Sequence, residues 1–511
     1  MSSVNISIDD SLNELSIDDL QNEMRSGRFT SHSIIERYLA RIASIDKRGP
    51  TLNAVIELNP DGLATADELD SARTQSRLRG PLHGIPILIK DNIDTADRMS
   101  TTAGSLAMQG SIAPKDAFVV QRLRAAGAII LGKANLSEWA NFRSTHSVSG
   151  WSGRGGQTRN PYALDRNPSG SSSGSAVAVS ANLCAAALGT ETDGSIISPA
   201  SANCIVGLKP TIGLISRSGV IPISHSQDTV GPMTRTVRDA AILLNVLAGP
   251  DPADPATNGC VGNVQEDYTK FLNPNGLHGA RLGVARKFFG GNAHVDRLMQ
   301  ECIDRMKSMG AEVVDPADLP SHGQFKDSEF EVLLYEFKAD LNTYLKIHSA
   351  RVRSLSDIIA FNERHRDFEM PYFEQEIMVM AQKKGPLTED AYVDMLEKIH
   401  RLSRTEGIDA VIEKFQLDAI IAPTKGLACL IDWLNGDDKT ITSCAAPAAV
   451  AGYPHISVPA GLIRGLPVGI SFFGRSWSEP TLIKLAYAFE QATKARRPPC
   501  FLSSVDFQIK P

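Results

Sequence analysis

Three short stretches hold the residue types that acyl transfer requires. Residues 167–180 read NPSGSSSGSAVAVS, with five serines and two glycines in the seven positions 169–175; residues 190–196 read TETDGSI, placing Ser195 directly after Gly194; residues 85–90 read IPILIK, an apolar run that ends on Lys90. A serine hydroxyl is a weak nucleophile until a base takes its proton, and a lysine can be that base only as a neutral amine. The ordinary lysine value of about 10.4 keeps the side chain an ammonium at neutral pH, whereas burial in apolar surroundings disfavours the charge and lowers it. On residues alone, however, Lys90 reads best as a strand-end lysine reaching into solvent.

Gly170-Ser171-Ser172-Ser173-Gly174 also fits G-x-S-x-G, the strained turn that displays the nucleophile of α/β-hydrolases. That turn needs a strand immediately before it. The preceding TRNPYALDRNP (158–168), with two prolines and several polar residues, reads as a loop. The serine segment runs straight into SAVAVSANLCAAALG (175–189), small residues suited to a buried helix packed on a sheet, so it is no free linker. It instead places backbone N–H groups at a helix start, where developing negative charge is favoured. Ser171 could equally be an N-cap, and Ser195 an ordinary turn residue.

These stretches, together with GPLHGIPILIKDNI (80–93), GLKPTIGLISRSGVIP (207–222), SQDTVGPMTR (226–235), AGYPHISVPAGL (451–462) and GLPVGISFFG (465–474), make the chain resemble the amidase signature family along nearly its whole length. The resemblance implies a Ser–Ser–Lys triad: Ser195 as nucleophile, Ser171 as the bridging serine after a cis Gly170–Ser171 bond, and Lys90 as base. It also implies an oxyanion hole from the backbone N–H groups of Thr192, Asp193, Gly194 and Ser195. Trp139, Gly170 and Ser172 are the expected substrate contacts, and no metal or other cofactor is implied. Three positions depart from the usual pattern: Ser173 for glycine, Asp193 for the first glycine of Gly-Gly-Ser, and Ile197 where many members carry arginine. LSEWANFR (136–143), GWSGRGGQTRNPY (150–162) and TETDGSI are most similar to the peptide-amidase subgroup. The implied reaction is therefore hydrolysis of carboxamides through an acyl-enzyme, with C-terminal peptide amides as substrates. Aryl-acylamide or fatty-acid amide hydrolysis, and the A subunit of a tRNA-dependent amidotransferase, are the alternatives.

Positioning such residues takes a large scaffold. The chain has 511 residues, 42% hydrophobic and 22% charged, enough to bury an extensive core. Short apolar runs at 85–89, 128–133, 281–285, 417–424, 455–459 and 466–474 read as strands, and 116–127 and 478–493 as helices. The result is an α/β fold: one large domain with a mixed, largely parallel sheet covered by helices on both faces. Two amphipathic helices open the chain, with Ser16 and Ser31 as N-caps. The expected division is an N-terminal helical segment (1–75), a catalytic core (76–296), a charged helical cover (297–415) and a C-terminal return to the core (416–511).

Asp91, Arg143, Arg159, Asn160 and Asp228 read as residues that orient loops around the site. His83, His146, His225 and His455 fall near the motifs but in no metal-ligand spacing. A net charge of −6 and no basic run argue against nucleic acid, and the absence of an apolar run of 18 residues or of a leader-like start argues against a membrane. The seven cysteines (184, 204, 260, 302, 429, 444, 500) are scattered and odd in number, which suits a reducing cytoplasm. The expected partner is a small-molecule or peptide amide substrate, bound by a monomer or homodimer.

Overall fold

The computed structural model describes residues 11–348 and 351–505; the polar start at 1–10 lies outside the described residues. Eleven strands form one mixed sheet. In chain order they are β1 Val55–Leu58, β2 Pro86–Lys90, β3 Ile129–Ala134, β4 Ala186–Glu191, β5 Val206–Lys209, β6 Thr229–Thr234, β7 Arg281–Val284, β8 Glu312–Val314, β9 Ala419–Pro423, β10 His455–Ile463 and β11 Leu466–Phe473. Their order across the sheet is β1-β3-β2-β4-β6-β5-β10-β11-β9-β7-β8. The βαβ logic of the sequence appears on the two flanks, where β3-β2-β4 and β9-β7-β8 run parallel. The middle of the sheet is antiparallel, from β4 through β6, β5, β10 and β11 to β9.

Every residue of β2, β3, β4 and β6 is buried, so both faces of the sheet are covered there. This explains why β2 and β3 read as continuous apolar runs without alternation. The stretch read as one small-residue helix is in fact two elements. The helix Ser173–Ser180 is buried at all eight positions, and after a turn the chain enters β4. Alanine and glycine carry little strand preference, so β4 forms because it is enclosed between β2 and β6 rather than because of its composition. Ser16 caps the first helix, with a reciprocal capping box to Asp19. In the second helix the cap is Thr30, whose hydroxyl accepts from the Ser33 N–H, while Ser31 is the first helical residue. Ser31's own N–H donates to Asp70 Oδ1 at 2.7 Å.

The charged segment from about 297 onward contributes to two layers. The Ala293–Ser308 helix buries Val295, Met299, Cys302, Ile303 and Met306 in the main core, and β8 extends the sheet. The cover proper begins with the helix Lys326–Ile347, followed by Leu355–Arg364, Glu376–Gln382 and Asp390–Ser403. Leu333, Phe337 and Leu341 of the first of these pack on Trp139, Phe142 and Ile223, which belong to loops at the ends of the strands. The Phe142 and Phe337 rings meet edge to face with centroids 5.1 Å apart. Such pairs add to the burial energy of two large side chains.

Phe337→Ala should therefore destabilise the protein by about 3–5 kcal/mol, the usual cost of truncating a buried phenylalanine. Urea unfolding followed by tryptophan fluorescence measures it. A loss below about 0.5 kcal/mol would mean that the cover is not packed on the core as described.

Candidate active site

Lys90 ends β2 and is completely buried. Its Nζ donates to Ser171 Oγ at 2.7 Å, Thr190 Oγ1 at 2.8 Å and the Thr190 carbonyl at 3.2 Å. Asn92 Nδ2 also donates to Thr190 Oγ1, at 3.0 Å. Burial pushes the Lys90 ammonium down to about 7, against the opposing pull of the Asp228 and Glu191 carboxylates. A neutral amine has two N–H groups and one lone pair. The Thr190 carbonyl can only accept, and the Thr190 hydroxyl is free to accept, so in that state the lone pair is left facing the Ser171 hydroxyl.

The serine loop fits between strand ends with no room for a side chain at its turn. The Gly170–Ser171 peptide bond is cis, as expected. A Cβ on Gly170 would lie 2.3 Å from Ser137 Oγ and 3.0 Å from both Ser149 Oγ and Ser173 Oγ. The Ser171 carbonyl accepts from the Ser137 N–H at 3.0 Å, and the Ser172 N–H donates to the Ser195 carbonyl at 3.1 Å. The two serine motifs are thus joined through backbone.

Ser195 sits in the turn after β4, where Gly194 has φ +76, a conformation that favours glycine. One carboxylate oxygen of Glu191 accepts from the N–H groups of Ile196 at 2.7 Å and Ile197 at 3.1 Å, and the Gly194 N–H is also directed at Glu191. Thr192 Oγ1 donates to Asp228 Oδ1 at 2.6 Å, and the other Asp228 oxygen accepts from the Ile223 and Ser224 N–H groups. Both sides of the turn are therefore pinned. Of the four N–H groups expected to form an oxyanion hole, that of Gly194 faces inward to Glu191. Those of Asp193 and Ser195 take no protein acceptor among the described residues.

Ser195 faces a cavity of about 340 Å³. Its lining includes Asn141, Phe142 and Gly170, Leu333 of the cover, and Lys425 and Asp437. Ser171 lies behind Gly170, fully buried. Two expected substrate contacts are not at the cavity wall. Ser172 is fully buried, donating its hydroxyl proton to the Thr190 carbonyl at 3.0 Å and accepting from the Thr190 N–H at 3.2 Å. Trp139 packs into the apolar cluster with Phe142 and Phe337. Thr190, Asn141, Lys425 and Asp437 were missed by sequence reasoning; Lys425, two residues beyond β9, had as its one signal a charged residue closing an apolar strand.

The residues read as loop-orienting do hold loops. Arg143, fully buried, pairs through Nε with Glu138 at 3.1 Å and donates to the Glu369 carbonyl at 2.6 Å, and Asn160 Nδ2 donates to the Ala202 carbonyl at 2.9 Å. Buried Asp91 accepts from the Gly104 N–H at 3.2 Å, and the Arg159 N–H bonds the Leu52 carbonyl at 2.9 Å. Among the described residues, ligating atoms of His225, Glu336 and Asp340 lie within 4.8 Å of one another. They form a hydrogen-bonded ion-pair cluster: His225 Nδ1 meets Asp340 at 2.8 Å, while Ser226 and Tyr392 donate to Glu336 at 2.9 and 2.7 Å. Among the described residues no helix is long and apolar enough to cross a membrane.

A large mixed sheet whose strand ends gather a buried lysine and two serine loops defines an α/β hydrolytic enzyme. The Amidase family profile matches residues 33–483. The solved structure of peptide amidase with the competitive inhibitor chymostatin is 53% identical, with a TM-score of 0.93 over 95% of this chain and 99% of that one. Native peptide amidase from Stenotrophomonas maltophilia is 52% identical, with a TM-score of 0.92 over 96% and 99%. A "Probable amidase" of Arabidopsis thaliana is 44% identical over 98% of this chain and 94% of the relative. A glutamyl-tRNA(Gln) amidotransferase subunit from Symbiobacterium thermophilum is 35% identical over 92% and 95%. The chain belongs to the amidase signature family and is an amide-hydrolysing enzyme.

Holding Lys90 in the folded state lowers its proton affinity, so between pH 7 and 10.5 the unfolded chain binds the extra proton and stability falls as pH falls toward 7. Lys90→Met should be more thermostable than the parent at pH 7, with an advantage that shrinks toward pH 10. Calorimetry at the two pH values reads it. An advantage equal at both would show that Lys90 has the same proton affinity folded and unfolded.

Proposed function

We propose that the enzyme converts peptides ending in a primary carboxamide to the free acid and ammonia, through an acyl-enzyme on Ser195 and a proton relay running Lys90–Ser171–Ser195. The observation that carries this reading is the 2.7 Å hydrogen bond from a fully buried Lys90 to Ser171, with the lysine pushed down to about 7.

Neutral Lys90 takes the Ser171 proton as Ser171 takes that of Ser195, and Ser195 Oγ bonds to the amide carbon. The carbonyl electrons move onto oxygen, which the Asp193 and Ser195 N–H groups stabilise; one such donor contributes about 3–4 kcal/mol in a transition state. The Thr192 N–H is a further donor in this reading, while the Thr192 hydroxyl on Asp228 and the Gly194 N–H toward Glu191 shape the turn. When the C–N bond breaks, Ser171 gives its proton to the departing nitrogen and recovers one from the Lys90 ammonium. Water, deprotonated by the same relay, releases the acid and restores Ser195. The balance is carboxamide plus water to acid plus ammonia.

The peptide substrate is supported by the likeness to peptide amidase at 53% identity. In this reading the leaving-group side of the cavity takes –NH₂ and excludes a following residue by clash, and steric exclusion discriminates sharply. The Lys326–Ile347 helix, which brings Leu333 to the wall, receives the peptide chain. We further propose that the enzyme acts alone, as a monomer or homodimer, in a reducing cytoplasm that suits its seven unpaired cysteines.

Mass spectrometry of a peptide amide should show replacement of –NH₂ by –OH with internal bonds intact. Internal fragments, or glutamine hydrolysis that appears only with added partner proteins, would contradict this reading. kcat/KM should rise with pH on a limb near 7. Lys90→Ala should lose that limb and at least the factor of about 10²–10⁴ typical of general-base catalysis. Ser195→Ala should lose activity and fluorophosphonate labelling together. Ser171→Ala should lose less, because a water can take the place of the bridging hydroxyl. Full labelling of Ser195→Ala would move the nucleophile elsewhere.

A further inference from the structure

The Asp193 side chain is exposed, and the surface it exposes lines the cavity beside Ser195. Its carboxyl forms no hydrogen bond or ion pair with the described residues. The other ionisable groups on that wall are occupied. Asp437 accepts from the Ser149 N–H at 2.9 Å and from Asn167 Nδ2 at 2.7 Å, and Lys425 Nζ donates to Ser169 Oγ at 3.2 Å.

A turn that offers free N–H groups to an oxyanion is also a binding site for any anion of the right shape. The acid product is such an anion, carrying its carboxylate where the substrate carried a neutral carboxamide. Unopposed, the cradle would hold the product more tightly than the substrate. We propose that the Asp193 carboxylate is the group that reverses this preference: its charge discriminates against carboxylates at the Ser195 turn, admitting the neutral amide and expelling the acid. This assignment rests on the reading of Ser195 and its turn given above.

The electrostatic surroundings set when the device works. Enclosure by the cavity walls and the Glu191 carboxylate raise the Asp193 carboxyl to about 7, while the ammonium groups of Lys425, Lys209 and Lys326 pull it down. Glu329, on the cover helix, also faces it, with one oxygen accepting from Gln227 Nε2 at 3.1 Å. Discrimination should therefore be weak when Asp193 is protonated and strengthen as pH rises through that range. Lys90 loses its own charge over the same range and also weakens anion binding, so a pH profile of the unmodified enzyme alone does not isolate Asp193.

The experiment is calorimetric binding of a matched peptide amide and peptide free acid to the Ser195→Ala protein, with and without Asp193→Asn, at pH 5.5 and 8.5. The quantity read is the ratio of acid to amide dissociation constants. At pH 8.5 Asp193→Asn should lower that ratio by about fivefold or more, the size expected for removing a like charge close by in a solvent-accessible cavity. At pH 5.5 it should change the ratio little, and Asp193→Glu should keep the discrimination at pH 8.5. A ratio unmoved by Asp193→Asn at pH 8.5 overturns the proposal, as does an equal effect at both pH values. If the unmodified enzyme turns over another amide and not peptide amides, the substrate reading falls, and the same comparison is made with that amide and its own acid.

Discussion

The placement of one amine away from water constrains the rest of this enzyme. Lys90 stands at the end of a strand buried on both faces, and among the described residues its hydrogen bonds go to Ser171 and Thr190, with the Asp228 and Glu191 carboxylates acting on it only at longer range. A buried ammonium is costly unless compensated, and no carboxylate pairs with it directly among the described residues, so the cost appears as a lowered proton affinity. β4 must then run beside β2 to supply Thr190, and the serine loop must return over both to supply Ser171. The Ser172 N–H bond to the Ser195 carbonyl fixes the second motif against the first.

The surrounding layers serve that constraint. Glu191 is buried and Asp228 half-buried, and desolvation raises both, Asp228 to about 6; one Glu191 oxygen accepts from the Ile196 and Ile197 N–H groups, and Asp228 accepts from those of Ile223 and Ser224 and from the Thr192 hydroxyl. They hold the turn that carries Ser195. The cover helices pack on the loop residues Trp139, Phe142 and Ile223, so that the same apolar cluster closes one side of the cavity and joins the layer to the core.

Much of this is legible in the residues, unevenly. The strands at 86–90, 129–134 and 466–473 were visible: they are buried along their whole length and read as largely apolar runs, and at 281–284 the buried Leu282–Val284 follow a half-exposed Arg281. β4, β5 and β6 were not, since AALGTE, VGLK and TVGPMT carry glycine, proline or alanine where β-branched residues would signal a strand, and enclosure overrides propensity. Lys90, Ser171 and Ser195 were found through family resemblance. Their residues alone favoured a solvent-facing lysine, because burial of a strand end depends on what covers it. Trp139 and Ser172 lie in the motifs but turn into the core, Thr190 sits inside TETDGSI with nothing to mark its contact to Lys90, and Lys425 and Asp437 reach the site from a separate strand end and loop. No local pattern announces such convergence.

The central claim, that Lys90 is a base because the fold keeps it neutral near physiological pH, is tested most directly by NMR of the protein labelled with ¹⁵N and ¹³C at lysine side chains. A lysine resonance that titrates near 7 and disappears in Lys90→Met is the predicted result. If every lysine signal lost in that variant titrates near the ordinary value of about 10.4, Lys90 is an ammonium at working pH and the account is contradicted.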